Sequence, residues 1–223
     1  MNPTDSWKEF LEELMDPQFV DVSSLKLKDH LNPELWEKQQ LKPYIGDALY
    51  KIAKEFFESL NLPHNIKLED VTLTGSLATY NWSSMSDVDL HLLINFNKLE
   101  DRELMEAFFR QKSKNWNDTH KILIKGFEVE IYVQDSTEPH YASGIYSILH
   151  ERWIKEPSRF RVEIDYETIK KKAARFMDAI DEVYDHYAEK DFRLALKSAE
   201  GLMERIKKYR RAGLQLNLSL IHI

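Results

Sequence analysis

An α+β fold with a small mixed β-sheet between helical flanks is what this sequence predicts, on three observations. The hydrophobic period is helical up to residue 60, alternates as in strands between about 66 and 150, and returns to helical from 166. Glycine is scarce, with 6 in 223 residues, which argues against an all-β sandwich full of tight turns. Hydrophobic residues make up 43% of the chain, enough for a packed core and too many for wholesale disorder.

The elements follow in order. Trp7, Phe10, Leu11 and Leu14 recur at helical spacing over residues 5–15, with Asp5 or Ser6 as cap. Asn32-Pro33 reads as a cap with proline at the first helical position. Pro43 opens a longer helix over about 44–60, with Ile45, Leu49, Ile52, Ala53, Phe56 and Leu60 on one face, ended by Asn61-Leu62-Pro63. Val71–Thr74 reads as a strand, and Val88, Leu90, Leu92 and Ile94 alternate with polar residues in a second. Residues 98–116 return to helix. Lys121–Val133 reads as a hairpin turning at Lys125-Gly126, and Gly144–Leu149 as a further strand. Two helices span about 166–212, broken near Lys190-Asp191. The expected organisation is an N-terminal helical region (1–65) packing on a core (66–150), then a C-terminal helical region (151–217).

Residues 218–223, Leu-Ser-Leu-Ile-His-Ile, follow a basic helix without turn signals of their own. This hexapeptide is what one reading frame of a widely used transposon-type sequencing adapter encodes. It is therefore expected to be a non-native tail on a chain that naturally continues past about Asn217.

Composition excludes several functions. With no cysteine there is no disulfide framework, no cysteine-bound zinc and no thiol nucleophile. The balance of 31 basic against 38 acidic residues, a net charge of −7, argues against non-specific coating of duplex nucleic acid. No apolar run approaches the ~20 residues that span a bilayer, and the N-terminus lacks a basic region followed by an apolar stretch. A cytoplasmic protein without a membrane partner is expected.

The chemistry is concentrated in residues 73–133. A strand ends in Gly75-Ser76, and ten residues intervene before Asp87-Val88-Asp89 at the start of an alternating strand. Side chains two apart on a strand point the same way, so Asp87 and Asp89 share one face while Val88 and Leu90 face the core. Adjacent carboxylates repel and raise each other's pKa unless a cation lies between them. Oxygen ligands from one strand suit Mg²⁺, which fills the rest of its shell with water and phosphate. Gly75 lets the backbone approach a ligand, and Ser76 would open a short helix whose free N–H groups hold phosphate oxygens. A third carboxylate belongs on a neighbouring strand. Phe127, Val129, Ile131 and Val133 form its buried face, with Glu128, Glu130 and Tyr132 on the other. Glu130 is the choice, and Glu128 on the same face stays open. Three carboxylates and two metal ions would align an attacking hydroxyl, lower its pKa and neutralise a leaving pyrophosphate.

Gly75-Ser76, the ten-residue interval, Asp87-x-Asp89 and the later hydrophobic-Glu130-hydrophobic strand resemble the DNA polymerase beta-type nucleotidyltransferase superfamily. The flanks Leu31–Trp36, Leu41–Pro43, Gly144–Ser147 and Trp153–Lys155 look similar to uncharacterised phage nucleotidyltransferase-like proteins. The resemblance implies a nucleotidyltransferase core, a C-terminal helical pair that closes the nucleotide cleft, and, from the flanks, the cytoplasm of a phage-infected bacterial cell. It also implies transfer of a nucleoside monophosphate from an NTP to an acceptor, with Mg²⁺ (two ions) or Mn²⁺. Gly75 and Ser76 would hold the triphosphate, Asp87 and Asp89 both metals, and Glu130 the catalytic metal. Glutamate stands at Glu130 where aspartate is commoner in the superfamily. The acceptor classes are a small molecule, a protein or an RNA end. Competing readings are a cyclic-oligonucleotide synthase and a catalytically inactive nucleotide-binding or interaction module.

Other residues have plainer expectations. His91 continues the carboxylate face in a structural or edge role, and Tyr132 either packs or stacks on a base. Ser86 caps or turns the chain, and Trp82 anchors packing. His120, His140 and His150 lack metal-ligand spacing, and no nucleophile-elbow motif surrounds Ser147. Lys170, Lys171, Lys172 and Arg175 begin the first C-terminal helix, and residues 191–213 carry seven basic against three acidic residues. Such a surface is either a solvated helix face or a contact for the triphosphate or an RNA.

Overall fold

The computed structural model describes residues 17–159 and 165–215. The expected helix over 5–15 and the expected adapter-derived tail lie outside the described residues. The described chain forms two compact units, residues 27–159 and residues 17–26 with 165–215.

The larger unit is a mixed sheet with helices on one face. Its strands are β3 (Leu68–Thr74), β4 (Val88–Ile94), β5 (Leu123–Ile124), β6 (Phe127–Asp135), β7 (Ile145–Ser147) and β8 (Arg152–Lys155), in the order β5-β6-β4-β3-β7-β8. Each neighbouring pair is antiparallel except β4 and β6, which run parallel. That parallel pair requires a crossover, supplied by helix α2 (Arg102–Thr119) and the β5 turn. Asp101 starts α2 by accepting the Leu104 N–H at 3.0 Å, so the expected helix over 98–116 begins later. Lys125 and Gly126 have φ of 54° and 88°, the left-handed pair of a tight hairpin turn.

Helix α1 (Pro43–Ser59) opens with proline in its first turn and buries Ile45, Leu49, Ala53 and Phe56. These join Leu73, Leu90, Leu92, Val129 and Ile131 in one apolar cluster, and the Phe56 ring meets Trp116 of α2 at 5.3 Å. The core therefore lies between the two helices and one face of β3, β4 and β6.

The expected Asn32-capped helix is corrected. Asn32 Oδ1 accepts the Glu34 N–H at 2.8 Å and its carbonyl accepts those of Leu35 and Trp36, a closed turn rather than a helix start. The chain then pairs β1 (Trp36–Glu37) with β2 (Gln40–Leu41) around Lys38, whose φ is 58°.

In the second unit, α3 (Tyr166–Ala188) and α4 (Phe192–Gln215) form an antiparallel hairpin across a turn at Lys190, with φ 64°. Phe176 packs edge-on against Tyr209, and Lys172 and Arg205 cover these two rings. No described helix is long and apolar enough to cross a membrane.

Candidate functional site

Register places the sequence-predicted residues side by side. Thr74 of β3 pairs with Asp89 of β4, and Asp89 pairs with Glu130 of β6, so the three form one row across the sheet. The next row is Thr72, His91 and Tyr132. Both rows stand on the face opposite the core, because Val88, Leu90 and Leu92 take the alternate positions. Asp87 lies just before β4 and is exposed.

Gly75 adjoins this row. Its φ is +73°, and a Cβ there would fall 1.8 Å from Asp89 Oδ2. Any side chain would both strain the backbone and displace the Asp89 carboxylate. Ser76–Ala78 is a single 3-10 turn rather than the expected short helix. The Ser76 hydroxyl donates to Ser86 Oγ at 2.7 Å, and Ser86 Oγ also accepts the Ser83 N–H at 2.9 Å. Ser86 thus turns the loop before Asp87 and ties it to Ser76.

The electrostatics follow from crowding. Although the Asp87 residue is exposed, partial desolvation of its carboxylate raises its pKa, and the charges of Glu130 and then Glu128 raise it further. Glu128 is ion-paired with Lys121 at 2.7 Å, whereas the Tyr132 hydroxyl donates to Glu130 Oε2. Burial lowers the His91 pKa to about 4, so this ring is neutral at pH 7. It lies 5.3 Å from the Tyr132 ring and is hydrogen-bonded to Gln134.

Among the described residues no group of three His, Asp or Glu side chains is arranged to hold a metal ion as it stands. The donor set nevertheless fits a hard divalent cation in its chemistry. Asp87, Asp89 and Glu130 are oxygen donors on neighbouring positions, and the like charge pressing on Asp87 is what a cation would relieve.

No protein-family model matches the chain, and no curated protein or solved structure matches it either.

Sequence reasoning missed the supports. Trp36 Nε1 donates to Leu77 O at 2.8 Å, and its ring stacks on Trp153 at 4.8 Å and meets Tyr146 edge-on at 5.1 Å. These flanking aromatics hold the turn that carries Ser76. Their partners are 41 or more positions away in the chain, where no periodicity could reveal them. Trp82 is an anchor, donating to His30 O at 2.9 Å. Ser147 is buried and donates to Asp70 Oδ1 at 2.8 Å, with His150 Nδ1 3.0 Å away. The serine is bonded to the carboxylate itself, so the cluster lacks the carboxylate–histidine–serine order of an activated nucleophile.

Proposed function

We propose that this chain is a metal-dependent nucleotidyltransferase, transferring a nucleoside monophosphate from an NTP to a hydroxyl acceptor with release of pyrophosphate. The observation that carries the reading is the pair Asp89–Glu130 in register across the sheet, with Asp87 two residues before Asp89 under the charge of Glu130 and the side-chain-free Gly75 against Asp89. Asp87 and Asp89 would hold two Mg²⁺ or Mn²⁺ ions, and Glu130 would complete one of the two sites. When bound, the cations neutralise the triphosphate and acidify the attacking hydroxyl. Gly75 keeps the Asp89 carboxylate in place, and the Ser76 hydroxyl faces the triphosphate. Glu130 accepts the acceptor's proton, oriented by the Tyr132 hydroxyl. His91, neutral at pH 7, adds no charge beside the carboxylates. The acceptor is a small molecule, a protein or an RNA end. The RNA option rests on the basic residues of α3 and α4 alone.

A second reading, a catalytically inactive nucleotide-binding module, is favoured by the carboxylates' not standing as a ready metal cage and by the Tyr132 contact that engages Glu130. Pyrophosphate release from each of the four NTPs, with Mg²⁺ and with Mn²⁺, separates the two. The transferase reading expects release that needs metal and disappears in the Asp87→Asn/Asp89→Asn variant. Metal-independent NTP binding that survives in that variant, with no release from any NTP, would favour the binding module.

A further inference from the structure

Helix α2 runs antiparallel to β6, and at one point its side chain completes the sheet. Asn117 Oδ1 accepts the Ile131 N–H at 3.0 Å, and Asn117 Nδ2 donates to the Ile131 carbonyl at 3.2 Å. A planar carboxamide thus occupies the edge of β6 where a further strand would pair.

Backbone groups that point to one edge of a strand recur every second residue. The next outward pair is the N–H and C=O of Val133, because the groups of β6 that bond β4 alternate with those that face Asn117, and among the described residues no backbone bond outside the β4–β6 ladder reaches them. The geometry explains the gap. Two strand residues advance about 6.6 Å and four helical residues about 6 Å, so Ser113 lies opposite Val133 as Asn117 lies opposite Ile131. Serine is too short to bridge. Its Oγ is buried, with the residue 4% exposed, and has no hydrogen-bond partner. A cavity of about 570 Å³ opens there, lined by Ser113, Val133, Arg110 and Lys114, and it reaches Glu130 and Tyr132. That size is ordinary for a small-molecule site.

We infer that this cavity is a nucleobase pocket, in which the Val133 N–H and C=O pair with the adjacent acceptor and donor of a base edge as Ile131 pairs with Asn117, and Ser113 Oγ takes a further ring or exocyclic atom. The Watson–Crick edge of every base carries a neighbouring donor and acceptor, like a carboxamide. Only one backbone pair is open, because Asn117 occupies the position on one side and the chain turns after Asp135 on the other. That favours a single planar group over an extended peptide. The inference rests on the transferase reading and deepens it. The base belongs either to the donor NTP or to an acceptor nucleotide whose hydroxyl lies at Glu130.

The test is Ser113→Asn, which supplies the chain's own carboxamide to Val133. Its melting temperature should equal or exceed that of the wild type. Equilibrium binding is measured with Mg²⁺ for the α,β-methylene analogues of the four NTPs, inorganic tripolyphosphate and a diribonucleotide. If the donor base is read, at least one analogue binds the wild type more tightly than tripolyphosphate, and Ser113→Asn removes a difference of about tenfold. If the acceptor base is read, the analogues match tripolyphosphate, and the diribonucleotide binds the wild type but not Ser113→Asn. Ser113→Ala, which keeps the space and loses only the hydroxyl, should weaken the same ligand about threefold. Affinities unchanged in both variants would overturn the inference and leave a water-filled cavity. Tripolyphosphate binding without any response to Ser113 variants would sink the pocket and spare the transferase reading. A responsive diribonucleotide without any triphosphate binding would do the reverse.

Discussion

On one face of β3, β4 and β6 stand Leu73, Val88, Leu90, Leu92, Val129 and Ile131, all buried in the core. On the other stand Thr72, Thr74, Asp89, His91, Glu130 and Tyr132, drawn from the alternate positions of the same strands. Burial of each core side chain stabilises the fold by roughly 1.5–3 kcal/mol. The opposite face works against stability. It raises the pKa of the neighbouring Asp87, lowers that of His91, and leaves the buried Thr72 Oγ1 without a partner. A sheet that gathers such groups on one face, beside a glycine whose Cβ would meet the Asp89 carboxylate, gives up stability there, which fits the proposed chemistry.

The largest expected effect separates the faces outright. Asp87→Asn/Asp89→Asn should reduce pyrophosphate release by on the order of a thousandfold, the scale of losing a transition-state charge stabiliser. Its urea midpoint should match or exceed that of the wild type, because repulsion at Asp87 is relieved. Leu90→Ala should do the opposite. A fully buried leucine truncated to alanine costs about 2–5 kcal/mol, seen in the urea midpoint, while activity per folded molecule is retained. Loss of stability in the aspartate variant, or of chemistry in the leucine variant, would break the division between faces.

Gly75→Ala touches both properties. The left-handed φ costs about 1–3 kcal/mol, and the methyl group displaces the Asp89 carboxylate. Stability and pyrophosphate release should fall together, read by urea denaturation and the release assay on one preparation.

The smallest effect is a pH dependence with two opposing signs. Asp87 has a raised pKa in the folded protein, so its contribution is complete at low pH and is lost as pH rises through that pKa. His91 is lowered from 6.5 to about 4, so its contribution is present above 6.5 and is lost as pH falls toward 4. Between these limits Asp87→Asn should steepen the fall in stability on acidification, and His91→Gln should flatten it. Urea midpoints at half-unit steps of pH would show both slopes, and identical slopes in all three proteins would remove the electrostatic part of the account.

Much of this arrangement is legible in the sequence, and the reasons are local. The alternation around Asp87-Val88-Asp89 and through Phe127–Val133 assigns each residue to a face before any partner is known. The choice between Glu128 and Glu130 is not local, since alternation puts both on the same face. It is the register of β6 against β4 that sets Glu130 beside Asp89, and an ion pair across the hairpin that turns Glu128 toward Lys121. Asn32-Pro33 misleads because the same side-chain oxygen that caps a helix also closes an Asx turn. Strand β8 goes unseen because its residues are mostly exposed and carry no alternation. The gap at Val133 is invisible for another reason: it depends on the length of one side chain, Ser113, facing a strand edge from a separate helix.

The most direct test of the carboxylate face is Mn²⁺ binding followed by electron paramagnetic resonance, with and without an α,β-methylene NTP. The account predicts that the wild type binds Mn²⁺ more tightly when the nucleotide is present, and that Asp87→Asn/Asp89→Asn shows no such gain while remaining folded. Equal Mn²⁺ binding by the two proteins, unaffected by nucleotide, would contradict it.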